Sequence, residues 1–137
     1  MDWKVKAIRG ATTASENTVE AIREAVTELL ITLETYNEID TDQIVSATFS
    51  VTRDLDAAFP AAIARERSHW QNVPMIDLQQ MHVAGSLERC IRVLIHINVP
   101  EPALPLHHTY LRQASNLRPE WSLAQLKLDN RRSSSVP

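Results

Sequence analysis

The segment 87–99, LERCIRVLIHINV, restricts the fold more than any other part of the chain, because it is long and rich in β-branched residues. Side chains alternate between the two faces of a strand. One face would carry Leu87, Arg89, Ile91, Val93, Ile95 and Ile97. The other would carry Glu88, Cys90, Arg92, Leu94 and His96. The pattern predicts a long strand with an arginine, Arg92, in the middle of mostly apolar surroundings.

A second arginine follows an apolar row near the start of the chain. Trp3, Val5 and Ala7 would share one face of a strand, and the next residue on that face is Arg9. Gly10 and a short polar run come directly after it, which suits a turn. From the residues alone, the favoured interpretation is a strand that ends at Arg9 and lets the guanidinium reach water.

Apolar periodicity defines the other elements of the first three-quarters of the chain. Asn17 is the expected N-cap of a long amphipathic helix, and Pro60 suits the first position of a short one. In order, we predict a helix over 18–36, a strand over 45–51, a helix over 60–68 and a strand over 73–80.

The last quarter of the chain is first broken by prolines and then becomes polar. Three prolines within 100–105 separate the long strand from a helix expected over 106–115. The final LDNRRSSSVP has almost nothing to bury, so a disordered tail is expected at 128–137. A length of 137 residues fits one domain, assigned to 1–127.

Composition and charge exclude several classes of protein. A net charge of −3 gives no general attraction to nucleic acid or to anionic membranes. No apolar run approaches the roughly 18 residues that a membrane span requires. The single cysteine, Cys90, excludes an internal disulfide framework, and the charged N-terminus lacks a signal-peptide core. We therefore expect a cytoplasmic protein that binds neither nucleic acid nor membrane.

The common catalytic motifs are missing. Gly10 and Gly85 stand far apart, so no glycine-rich phosphate loop exists, and a G-x-S-x-G motif is absent. His107 and His108 lack a repeated ligand spacing, which argues against a metal, and Cys90 is expected to be a buried, inert thiol. The remaining candidates are Arg9, Arg92 and Tyr110, and we expect Tyr110 on the late helix. These side chains suit binding of an anionic small molecule that is held rather than attacked.

Five segments in order resemble one known family. They are IRGATT (8–13), DLDAAFPAAIARE with SHWQNVP (54–74), GSLERCIRV (85–93), HTYL (108–111) and LRPEWSL (117–123). With nearly constant spacing from about residue 4 to residue 123, they resemble the AroH class of chorismate mutase. The resemblance implies an α+β fold, with a mixed β-sheet and helices packed on one side. It also implies a homotrimer that forms a pseudo α/β-barrel, with active sites between subunits.

The reaction that the resemblance implies accounts for the missing motifs. Chorismate would rearrange to prephenate by an intramolecular Claisen reaction, a step toward phenylalanine and tyrosine, without nucleophile or cofactor. The protein would hold a flexible dianion in its reactive conformer and stabilise the charge separation as the ether bond breaks. Arginine suits both tasks, because it donates paired hydrogen bonds and stays charged.

The resemblance also assigns roles to particular residues. Arg92 would be the main catalytic residue, and Arg9 and Tyr110 would bind substrate carboxylate. Further matched positions line the pocket, stand near its entrance or close over it: Phe59, Ala61, Ile76, Arg65, Leu117 and Arg118. Considered without the resemblance, Phe59 would be a helix-start staple, Arg65 a solvated charge and Tyr110 a packed aromatic.

Three positions depart from the family pattern. Asp77 and Gln80 stand where a cysteine and a glutamate are expected to address the ring hydroxyl, and Ala62 replaces a lysine near the rim. We expect Gln80 to keep the hydrogen bond, and hypothesise that Asp77 supplies the missing charge. Alternatives are a noncatalytic or low-activity trimer that binds an anionic metabolite and, by fold analogy alone, an imine-hydrolysing enzyme.

Overall fold

A five-stranded mixed sheet organises the chain. The computed structural model describes residues 2–135, with side chains described through residue 131. The strands are β1 (Trp3–Thr13), β2 (Ile44–Val51), β3 (Met75–Gln79), β4 (Cys90–Pro100) and β5 (Thr109–Tyr110). Their order is β3-β2-β4-β1-β5, with antiparallel pairing of β4 to both neighbours and parallel pairing at the two edges.

Three helices and four short 3₁₀ segments connect the strands. The helices are α1 (Val19–Asn37), α2 (Pro60–Arg65) and α3 (Leu123–Ser135). The 3₁₀ segments are Thr41–Gln43, Ser68–Trp70, Arg112–Asn116 and Pro119–Trp121. This is the predicted α+β class with a mixed sheet. None of the helices within residues 2–135 combines the length and the apolar character that crossing a bilayer requires.

Helices α1 and α2 cover one face of the sheet, and the opposite face is covered at its β5 end, where Trp121 packs on Ala11 and Tyr110. Ile91, Val93 and Ile95 of β4 are buried against α1, together with Ile8 of β1 and Phe49 of β2. Cross-strand register assigns the alternate residues to the opposite face, which we call the open face. It comprises Trp3, Val5, Ala7, Arg9, Ala11, Ser46, Thr48, Ser50, Ile76, Leu78, Arg92, Leu94, His96 and Tyr110.

The long strand β4 lies at the centre of the sheet. β4 exchanges hydrogen bonds with β1 on one side and β2 on the other, so its backbone polar groups are satisfied along most of its length. The predicted alternation holds from Ile91 to Ile97, where the odd positions are buried while Arg92 is half-buried and Leu94 is exposed. The strand begins at Cys90 rather than at Leu87, because Arg89 has a left-handed backbone conformation with φ 49°.

The first strand differs from its prediction. β1 does not end at Arg9 but continues to Thr13. Trp3 and Val5, expected to be buried, are about half exposed, and the buried face is formed instead by Ile8 and the residues that alternate with it. The reason is that α1 packs on that face, where Gly10 leaves room for the helix side chains.

The starts of α1 and α2 lie within one residue of their predicted positions, but the predicted N-cap of α1 is wrong. Thr18, not Asn17, caps α1, because its Oγ1 accepts the Ala21 backbone N–H at 3.1 Å. Asn17 instead binds the loop before α2, where its side chain bonds to Asp56 and to the Ala57 backbone N–H. The short helix ends at Arg65 rather than at 68.

The helix expected over 106–115 is wrong, because this segment completes the sheet edge. Thr109–Tyr110 pairs with β1 as β5, and the Leu111 N–H donates to the Ala11 carbonyl at 2.8 Å. An edge strand has unpaired backbone groups, and β5 satisfies those of β1 at this point. Tyr110 therefore lies on a strand, and 112–116 forms a 3₁₀ turn.

The tail also differs from its prediction. α3 runs through the expected domain boundary at 127 to Ser135, and Leu126 buries its side chain to 4% exposure. An amphipathic contact of this kind gives the polar segment an apolar anchor. Residues 1, 136 and 137 lie outside the described part of the chain.

We expect Gly10→Ala to destabilise the fold. An added Cβ would lie 3.0 Å from Leu33, 3.1 Å from Val93 and 3.2 Å from Leu29. Overpacking of this kind typically costs about 1–3 kcal/mol. Urea denaturation should show a lower free energy of unfolding for Gly10→Ala and a still lower one for Gly10→Val. A neutral or stabilising Gly10→Ala would mean that α1 does not depend on this close approach.

Candidate functional site

Arg92 belongs to a row of residues that crosses the open face from β2 to β5. The register places Ser50, Arg92, Ala11 and Tyr110 side by side. Arg9 is diagonal to Arg92 across the β1–β4 pair, and such neighbours lie about 7–8 Å apart, within reach of long side chains. Ala11, between Arg92 and Tyr110 in this row, is fully buried and packs with Tyr110 in a small cluster that Trp121 covers. The three predicted polar residues are thus on one face.

Arg9 is fixed by its neighbours on β5. Its guanidinium donates to the Tyr110 hydroxyl at 2.7 Å, and its backbone N–H donates to Nδ1 of His108 at 2.9 Å. Tyr110 is 1% exposed, so its hydroxyl is held within the fold. The Tyr110 hydroxyl therefore gives Arg9 a polar partner at the end of the apolar row. The simplest interpretation has the strand end at Arg9 and the guanidinium reach water. Instead, the strand continues and the guanidinium binds Tyr110.

Arg92 is half-buried and incompletely bonded. Its Nε is buried and has no hydrogen-bond partner among the described residues. The neighbouring Cys90 is fully buried; burial raises the pKa of this thiol, and the Arg92 guanidinium partly opposes that rise. Cys90 is thus the inert thiol that was expected, and Arg92 retains a free donor.

Arg9 and Arg92 differ from most other arginines in having no carboxylate partner. Ion pairs with glutamates are formed by Arg23, Arg67, Arg89, Arg112 and Arg118. Within residues 2–131, no ion pair joins a carboxylate to Arg9 or Arg92. Arg53 and Arg65 also lack an ion pair in this range, but they are exposed to solvent. Partly buried cations without counter-ions are an arrangement suited to an external anion.

Gln80 presents an unused acceptor. Its backbone N–H donates to the Val51 carbonyl at 2.8 Å, which continues the β2–β3 pairing by one residue. Alternation then gives Gln80 the same face as Ile76 and Leu78, the open face. Its Oε1 is buried and has no partner in the part of the chain that is described. A buried amide oxygen without a donor is unfavourable by itself, so this atom is available to a ligand hydroxyl.

Asp77 has a different position from the one hypothesised. Its register partner is Phe49, so it lies on the helix-covered face, opposite to Gln80. Its Oδ1 accepts the Ala61 backbone N–H at 3.0 Å, in the first turn of α2. The carboxylate satisfies one of the free N–H groups at the start of that helix and joins α2 to β3. It is therefore not placed to replace a charge beside Gln80.

The other predicted pocket residues form a second group at the far edge of the sheet. This edge group comprises Phe59, Ala61, Arg65 and Ile76. Phe59 and Ile76 are 70% and 58% exposed, whereas Ala61 is buried in the core. β3 lies three strand spacings from β1, or about 14 Å. One chain therefore does not bring the edge group to Arg9.

The segment after β5 adds a third predicted cation beside Arg9. Arg118 precedes the 3₁₀ turn Pro119–Trp121, and its guanidinium carbon lies 3.6 Å from the centre of the Trp121 ring. Its Nε bonds to Glu120, whose pKa is lowered by this contact. Leu117 is partly exposed beside it. The structure thus gathers Arg9, Tyr110 and Arg118 around one aromatic ring.

Two residues of this cluster had no predicted role. Trp121 lies within the quoted LRPEWSL segment, three residues after Arg118, and His108 begins HTYL. Burial lowers the pKa of His108, and the nearby Arg9 and Arg118 guanidiniums lower it further, so its Nδ1 stays available as an acceptor near neutral pH. Only the pairing of β5 with β1 brings these rings together, which a single sequence does not reveal. Across the described chain, no group of three His, Cys, Asp or Glu residues is arranged to hold a metal.

Comparison with known proteins gives a consistent result. The family described as chorismate mutase type I matches residues 5–121. Chorismate mutase AroH of Bacillus subtilis is 38% identical over 88% of this chain and 95% of its own length. The Thermus thermophilus protein of the same name is 42% identical over 88% and 99%. A solved chorismate mutase from Clostridium thermocellum superposes with a TM-score of 0.73 at 41% identity, covering 81% of this chain and 98% of that one.

The position of Asp77 generates a prediction. Asp77→Ala should lower the free energy of unfolding by about 1–2 kcal/mol, because the Ala61 N–H loses a charged acceptor. Asp77→Asn keeps an acceptor oxygen and should lose less, as measured by urea denaturation. In a double-mutant cycle on turnover, Asp77→Asn and Gln80→Glu should combine additively. Rescue of Asp77→Asn by Gln80→Glu would instead support charge compensation between the two.

Proposed function

This chain belongs to the chorismate mutase type I family and is a chorismate mutase, an isomerase; from that premise we propose how its side chains bind and rearrange chorismate. Its product is prephenate, on the route to aromatic amino acids. In the reaction a C–O ether bond breaks and a C–C bond forms within one molecule. No proton or electron pair passes to the protein, so the enzyme acts by orientation and electrostatics.

Arg9 and Tyr110 bind a substrate carboxylate in this proposal. A guanidinium and a hydroxyl that already face each other can both donate to one carboxylate with little rearrangement. The lack of a protein carboxylate beside Arg9 supports the assignment, because no internal anion competes for it. Arg118 and Leu117 close the same side of the site, with Arg118 adding a third cation.

Arg92 is the catalytic residue that we propose to act at the ether oxygen. As the C–O bond breaks, negative charge grows on this oxygen, and a fixed donor stabilises it more than it stabilises the ground state. The observation that carries the proposal is the half-buried Arg92 with an unpartnered Nε and no carboxylate among the described residues. We propose that Gln80 accepts the ring hydroxyl through its unpartnered Oε1.

We further propose that the protein is a homotrimer whose sites lie between subunits. Exposed apolar side chains are spread over the open face, including Trp3, Val5, Ile76, Leu78 and Leu94. A second copy packed there would remove these side chains from water. It would also supply an edge group, with Phe59 and Ile76 against the substrate ring and Arg65 near the entrance, to the arginines of its neighbour. Asp77 acts in this arrangement by fixing α2, which carries Ala61.

The cellular setting is also part of the proposal. A single, buried, unpaired cysteine suits a reducing cytoplasm, and a net charge of −3 does not favour binding of nucleic acid. The reaction as proposed needs no cofactor.

We expect Arg92→Ala to abolish most turnover of chorismate while the fold and assembly remain intact. Loss of a donor aimed at developing charge costs about 3–4 kcal/mol, or roughly two to three orders of magnitude in kcat. Arg92→Lys should also be severely impaired, because lysine lacks the planar fork. The matched control is Arg23→Ala, on the solvent side of α1. Turnover of Arg92→Ala at the rate of the control would rule out the assigned role.

The trimer is tested by sedimentation and by mixing variants. Val5→Glu on the open face should weaken assembly, whereas Ile31→Glu, on an exposed part of α1, should not.

If sites are shared, random trimers of Arg92→Ala and Phe59→Glu chains should regain about one quarter of wild-type activity, because one pairing in four is intact. A stable wild-type monomer at micromolar concentration, or no recovery on mixing two inactive variants, would contradict shared sites.

A further inference from the structure

Trp121 is the common neighbour of every proposed carboxylate-binding group in this part of the site. Its ring centre lies 3.6 Å from the guanidinium carbon of Arg118 and 5.4 Å from that of Arg9. The Tyr110 ring meets it edge-on at 5.4 Å between centroids, and the His108 ring lies at 4.3 Å. Two cations, which would otherwise repel each other, are therefore both in contact range of one aromatic ring.

The physics of this contact favours a defined geometry. The negative face of an indole attracts a guanidinium, and tryptophan is the strongest of the aromatic residues in this respect. Glu120 offsets part of the charge of Arg118 but leaves Arg9 uncompensated. The ring consequently gives both guanidiniums a favourable contact that is not an ion pair, so Arg9 can bind the carboxylate of a ligand without displacing one of the protein.

The backbone holds the ring in this position. Pro119 begins the 3₁₀ turn, and the Trp121 N–H donates to the Arg118 carbonyl at 2.9 Å, which folds the ring back over Arg118. The next residue, Ser122, forms a bridge with Tyr110 of β5. Trp121 also packs on the small cluster of Ala11, Tyr110 and Ala114. The segment is thus joined to the sheet by the backbone of Ser122 and by the ring itself.

We propose that Trp121 is a positioning residue that orients Arg118, and secondarily Arg9, for binding of the substrate carboxylate. This inference rests on the proposed role of Arg118. Trp121 acts through the two arginines rather than on the breaking bond. Its loss should therefore weaken ground-state and transition-state binding alike, which raises KM and leaves kcat nearly unchanged. A ring that served only to stabilise the fold would not produce this division.

The test compares Trp121→Leu with Trp121→Phe. Trp121→Leu keeps an apolar side chain but removes the π face, and should raise KM for chorismate about tenfold, with kcat within about twofold of wild type. Trp121→Phe restores a π face and should return KM most of the way to the wild-type value. Thermal unfolding of both variants is recorded alongside to detect a loss of folded protein. Such a loss would not produce the expected difference in KM between the two variants. An unchanged KM in Trp121→Leu, or a fall in kcat alone, would overturn the proposal.

A double-mutant cycle with Arg118→Ala separates this inference from the proposed site. Arg118→Ala alone should raise KM, and in that background Trp121→Leu should add less than about twofold, because its main partner is gone. Full additivity would show that Trp121 does not act through Arg118 and would overturn the inference while leaving the site intact. An unchanged KM in Arg118→Ala would refute the binding role of Arg118 itself, and the inference with it.

Discussion

The register of β4 between β1 and β2 is the constraint on which the rest of this structure depends. Hydrogen bonds on both sides fix which side chains face α1 and which face away. A slip of one residue would turn Arg92 into the apolar core and expose Ile91 and Val93. Burial of an unpaired guanidinium costs several kcal/mol, so the hydrophobic pattern and the arginine specify the same register. The arginine that we propose to act in catalysis therefore also helps to define the fold.

The same constraint explains how much of the fold could be predicted from the sequence. Strong alternation identified β2 and β4, and a long periodic stripe identified α1, because each element buries one face. The segment around Tyr110 carried no such pattern. It became a strand only because β1 offers an unpaired edge, which is a tertiary effect. Cap choice also depended on tertiary contacts, since the loop before α2 binds Asn17 and leaves the cap to Thr18.

The structure brings some of the predicted site residues together and separates others, for related reasons. The residues themselves drew attention only to Arg9, Arg92 and Tyr110, and it was the family resemblance that supplied the other positions. Asp77 shows where sequence position is insufficient, because its side chain points to α2 and binds the Ala61 N–H. Strict alternation along β3 gives Asp77 and Gln80 opposite faces, and the structure follows it, because the pairing with β2 continues without a bulge to the Gln80 N–H. Trp121 escaped notice because its importance lies in what surrounds its ring.

The charge balance of the proposed site is asymmetric, and this follows from Gln80. Arg9, Arg92 and Arg118 provide positive charge, and only Glu120 among their described contacts opposes it. Such a site binds a dianion well and stabilises the oxygen that becomes negative as the ether bond breaks. The ring carbon framework becomes positive at the same time, and an amide oxygen offers it only a dipole where a carboxylate would offer a full charge. Because a dipolar interaction falls off faster with distance than a charge does, Gln80 can contribute at this end only if its Oε1 stays in direct contact with the ring hydroxyl. That oxygen is buried and unpartnered, which fits such a contact, so the mechanism that we propose depends on tight positioning at residue 80 rather than on charge.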